Sequence, residues 1–121
     1  MDEEFEQLRR EFYAALKDRA EVIAGLLAKI PSTGNVVVRG DHWTEVLYIA
    51  HKTAGLAATY DLSALTDLTA AIDDGMQNHM DRGSLQVDAV TFRSWCQILE
   101  KALRLGAEGR DAQGLPIPVI Q

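Results

Sequence analysis

Apolar residues three and four positions apart recur in four separate stretches of this chain, and that period restricts it to packed helices. Residues 3–30 set Phe5, Leu8, Phe12, Leu16, Val22, Ile23, Leu26 and Ile30 along the first helix. The second helix, Asp41 to about Tyr60, carries Trp43, Val46, Leu47, Ala50, Ala54, Ala57 and Ala58. A third, Leu62 to about His79, carries Leu62, Leu65, Leu68, Ile72 and Met76. The fourth, Asp88 to Leu105, carries Phe92, Trp95, Cys96, Leu99, Ala102 and Leu103. The expected fold is all-α: an antiparallel up-down four-helix bundle over residues 1–106, followed by an extended C-terminal tail over 107–121.

Local signals mark the joints. Asp2, Glu3 and Glu4 suit the positive end of a helix dipole, and Pro31 stops the first helix. Val36-Val37-Val38 has strand propensity but no convincing partner strand, so an extended connector packed on the bundle is expected there. Asp41 is the expected N-cap of the second helix, Asp61 a tight turn, and Asp81-Arg82-Gly83-Ser84 a loop. Gly106 is the expected C′ residue of the fourth helix. The tail, with Pro116 and Pro118, shows no helical period and reads as a linker or as a strap over the bundle.

Composition narrows the function. The 121 residues are 47% hydrophobic with a net charge of −6, which fits one folded domain and argues against a nucleic-acid partner. Apolar runs are too short for membrane insertion and no secretory pattern opens the chain, so a cytoplasmic location is expected. Cys96 is the only cysteine and falls on an apolar stripe, so a buried, inert thiol is expected. Trp43 and Trp95 also belong to the core. His42, His51 and His79 lack the spacing of metal ligands on one helix, and Asp73 to His79 lacks the alternating oxygens of a calcium loop. No metal site is expected.

The chemistry centres on His51. At about 100° per residue it falls roughly 80° from the middle of its helix's stripe, at the rim of the core. Gly55 lies about 40° further round, beside the ring. A mid-helix glycine costs roughly 1 kcal/mol relative to alanine, so it has a reason: clearance for a bulky group or partner, or close helix packing. On the third helix Asp73 lies about 85° from its stripe centre. Counted from the turn at Asp61, both residues stand roughly 15–18 Å along antiparallel helices, within one turn in height. Asp67 and Asp74 point further from the core. A carboxylate accepting from Nδ1–H fixes the tautomer, leaves Nε2 bare and stabilises positive character during phosphoryl transfer. Thr44, Tyr48, Lys52, Gly55, Leu56 and Thr59 form the flank a partner would meet. Leu56 has an alternative place under the first helix.

The run Ala50-His51-Lys52-Thr53-Ala54-Gly55-Leu56-Ala57-Ala58-Thr59-Tyr60, with Leu62 and Leu65, resembles the histidine phosphotransfer (HPt) motif. The closer likeness is to the amino-terminal phosphotransfer domain of the chemotaxis kinase CheA. It covers residues 5–105, with the motif within 50–73. The resemblance implies that His51 is the phosphoacceptor, that Gly55 gives clearance and that Asp73 supports the ring. It implies two partners: a separate ATP-binding histidine kinase domain, and a CheY-like response-regulator receiver domain whose aspartate takes the phosphoryl group. ATP and Mg²⁺ then belong to those partners, and this domain binds no cofactor of its own. The family's lysine three residues after the histidine is Ala54 here, its glycine before the third helix is Asp61, and its second histidine is Ala70. A stand-alone relay protein, a non-catalytic helical interaction domain and a dimerising bundle at a kinase interface are the alternatives.

Overall fold

Side chains satisfy the open backbone groups at several of the helix ends. The computed structural model describes residues 2–120. In helix α1 (Glu3–Lys29), the Asp2 carboxylate accepts from the Glu4 amide, and Glu3, Glu4 and Glu6 face the positive end of the dipole. At its other end Arg93, from the last helix, donates Nη1 to the carbonyls of Leu27 at 2.6 Å and Ile30 at 2.9 Å. Those carbonyls have no partner within α1, and a charged donor satisfies them.

The valine run after α1 is not a free connector. Strand β1 (Asn35–Val37) pairs antiparallel with β2 (Gln86–Asp88), Val36 opposite Val87. Flanking bonds from Val38 N to Leu85 O at 3.0 Å and from Ala89 N to Gly34 O at 2.8 Å extend the ladder. Both connectors emerge at the same end of an up-down bundle, and there their backbones pair; Val36 and Val87 turn inward.

Helix α2 (Asp41–Ala57) starts one residue earlier than its acidic signal suggests. Gly40 is the N-cap and makes no side-chain bond; Asp41 is the first helical residue and acts only on the dipole. A 3₁₀ turn (Ala58–Tyr60) follows, and Asp61 at φ 61° reverses the chain in the left-handed region. Helix α3 (Ser63–Asp81) runs back along α2, and α4 (Ala89–Ala107), capped by Asp88 on the Thr91 amide, runs along α1. Gly106 is not the terminal glycine. It lies inside α4, where a Cβ would come 2.8 Å from Leu16 Cδ1 and 3.1 Å from Leu65 Cδ2. The terminal role falls to Gly109 (φ 75°): its amide bonds to Gly106 O and that of Arg110 to Leu105 O, both at 2.9 Å.

The result is an all-α, up-down four-helix bundle with an irregular tail. Leu16, Ile23, Trp43, Leu65, Leu68, Ile72, Phe92, Leu99 and Leu103 fill its centre. Trp95 and Cys96 are buried with them, and burial, against a smaller pull from Arg93, pushes the Cys96 thiol up to about 12. No helix of the described residues is long and apolar enough to cross a membrane.

Candidate functional site

The α2–α3 hairpin sets two side chains at the same height. His51, midway along α2, has 72% of its side chain exposed, while Asp73 on α3 has 13%. Nδ1 of the ring lies 2.8 Å from Oδ2 of Asp73. A carboxylate only accepts, so the hydrogen is on Nδ1, and in the neutral ring Nε2 carries the free lone pair. Among the described residues nothing hydrogen-bonds Nε2.

The hold is mutual. Oδ1 of Asp73 is sealed in the seam between the helices with no hydrogen-bond partner among the described residues. Among the described residues the ring is thus the one hydrogen-bond partner of a mostly buried carboxylate, and losing it is expensive unless water replaces it. The imidazole is fixed in direction although most of it faces water.

His51 stands further from the core than its stripe suggests. Ile49 and Thr53 are buried, Leu47 and Ala54 only half-buried, and Ala58 is exposed. The buried side of α2 is therefore turned toward Thr53, and His51 lies about 130° from its centre. Thr53 is admitted to the interior because Arg19 of α1 donates Nη1 to its Oγ1 at 3.1 Å. Burial lowers the Arg19 guanidinium from its ordinary value, with nearby Tyr48 acting in the opposite sense. Neither Arg19 nor Thr53 carries a sequence signal for this pairing, since they lie on different helices.

Gly55 is exposed, and a Cβ added there meets nothing within 4 Å. Close helix packing therefore does not explain it, and the space beside the ring is open. Thr44, Tyr48, Lys52, Leu56 and Thr59 are all exposed on the same flank. Leu56 does not tuck under α1: it is 44% exposed, and Tyr48 is 55% exposed. Lys52 sets its ammonium 5.0 Å from the Tyr48 ring centroid, a cation–π contact that draws it along α2 instead of toward the imidazole. The site is thus one oriented, water-facing imidazole on a flank with a small apolar patch.

Among the described residues no three His, Cys, Asp or Glu side chains converge on a point that could hold a metal ion. No protein-family model, curated protein or solved structure matches the chain.

Proposed function

We propose that this chain is a phosphocarrier: a histidine phosphotransfer domain of a two-component pathway, with His51 as the acceptor. One arrangement carries the reading, a water-facing ring whose Nδ1–H is taken by Asp73 while Nε2 stays open. The Nε2 lone pair attacks the γ-phosphorus of ATP held by a separate histidine kinase domain. An N–P bond forms, the P–O bond to the leaving ADP breaks, and ADP departs with the electron pair. The proton on Nδ1 stays in place, and Asp73 offsets the positive character the ring acquires.

In the second step a receiver-domain aspartate attacks the same phosphorus, and the electron pair of the N–P bond returns to Nε2. Mg²⁺ and the remaining positive charge are brought by those partners, and a cytoplasmic setting goes with them. Tyr48, Lys52, Leu56, Thr44 and Thr59 supply the docking surface, with Gly55 leaving room for the phosphoryl group. A transient contact needs only a small interface of this kind.

The test is incubation with histidine kinase domains and labelled ATP, and with phosphorylated receivers. Acid-labile label on the wild type and none on His51→Gln is expected. Label that persists in His51→Gln moves the acceptor elsewhere. No label from any donor leaves the same exposed flank as that of a non-catalytic interaction domain.

A further inference from the structure

The segment after α4 touches α3 at two separated points, and α3 is the helix that carries Asp73. At the first, Asp111 accepts from the backbone amides of Ala64 at 3.0 Å and Leu65 at 2.9 Å. Those amides belong to the first turn of α3, whose own N-cap residue, Leu62, offers no side-chain bond. The tail thus caps α3 from outside, and Ala112 beside it is buried. At the second point Ile120 sits on Gly75, so closely that a Cβ there would collide with the Ile120 side chain. Leu115, between them, packs against the core.

Gly75 lies two residues beyond Asp73. Residues two apart on a helix point about 200° apart, so Gly75 faces the strap at the level where Asp73 faces α2. The two contacts span about 16 Å of α3 and bracket the carboxylate between them. A helix so held cannot rock away from α2 at the height of His51.

We propose that residues 110–120 are a positioning strap: they set α3, and through it Asp73, against the His51 ring. Asp111 and Ile120 are positioning residues and Gly75 is the seat. The strap's bearing on phosphoryl transfer rests on the function proposed above, while its effect on the ring does not.

The test is long-range ¹H–¹⁵N NMR of the histidine rings in the full chain. In the wild type His51 is expected to show a single fixed tautomer, protonated on Nδ1. In Ile120→Ala and Asp111→Ala that pattern is lost and the two ring-nitrogen shifts draw together as tautomers mix. Ile120→Val restores it, and Val119→Ala, at a position 80% exposed, leaves it unchanged. Should Asp111→Ala fail to fold, Ile120→Ala decides alone. A strap that merely covers the core would lower the melting temperature in these variants and leave the fixed Nδ1–H pattern intact, and that result overturns the proposal. If the ring responds as expected yet no kinase labels the chain, the strap stands and the phosphocarrier reading falls.

Discussion

His51 and His79 lie on the two helices of one hairpin, yet their surroundings are opposite. His79 is only 9% exposed, with the Trp43 ring edge-on at 5.9 Å and the Trp95 ring at 6.2 Å. Ser84 Oγ and Arg82 Nη2 both lie 3.1 Å from its Nδ1. His51 has one carboxylate and otherwise water. Both rings are held, but only one is held with a nitrogen open to a partner. The lesson is that direction and access are separate properties: the aromatic end fixes its ring by enclosing it, and the α2–α3 rim fixes its ring by a single charged acceptor.

The sharpest way to break this contrast is to delete each ring in turn and measure denaturant unfolding. His79→Ala is expected to cost roughly 3 kcal/mol, because a buried ring leaves a cavity beside Trp43 and Trp95. His51→Ala should cost less than about 1 kcal/mol, because water can reach the carboxylate it uncovers. Equal losses would mean that the two environments are not different in kind.

Asp73→Asn comes next. It keeps the shape and removes the charge, so phosphorylation of His51 is expected to slow about tenfold, with the fold intact by circular dichroism. An unchanged rate would separate the carboxylate from the chemistry. A smaller effect is expected at the strap. Burial alone would raise the Asp111 carboxyl, but hydrogen bonds from the amides of Ala64, Leu65 and Ala112 and from the Ser63 side chain outweigh it and hold it below its ordinary value. A group depressed in the folded state stabilises it above the unfolded-state value of about 3.9, and that contribution fades as pH falls through the folded one. Asp111→Ala should therefore cost about 1 kcal/mol at pH 7. Melts taken toward pH 2 should show wild type and variant converging.

The smallest effect is a gain. Ala54 stands where the resemblance has lysine, and Ala54→Lys puts an ammonium one turn from His51. Such an exposed charge contributes up to about 1 kcal/mol, so initial phosphorylation is expected to quicken by about threefold. A slower rate would show that α2 and α3 lack room for the longer side chain.

These differences were legible in the chain to different degrees. Met76 and His79 are three apart, so the α3 stripe that buries one reaches the other, whereas His51 follows Ala50 and falls off its own stripe. The meeting of His51 and Asp73 follows from equal distances to the Asp61 turn, which is local arithmetic. Strand β2 left no trace because Val87 stands alone between Gln86 and Asp88, too short for a period to show. Nothing in the sequence marks Thr53 as buried, because the guanidinium that lets it inside comes from α1. Gly106 and Gly109 both sit near the end of α4; Leu16 and Leu65 pressing on the first leave the second to turn the chain, and those are contacts across the bundle. Asp111 capping α3 is of the same kind, a local need met by a distant residue.

Everything functional depends on which atom of His51 is open. The decisive measurement is ³¹P–¹⁵N NMR on histidine-labelled protein after incubation with a kinase domain and ATP. Phosphorus bonded to Nε2 of His51, with the proton still on Nδ1, is the expected result. Phosphorus on Nδ1, which the Asp73 hydrogen bond should block, or on His42 or His79 in place of His51, would contradict it.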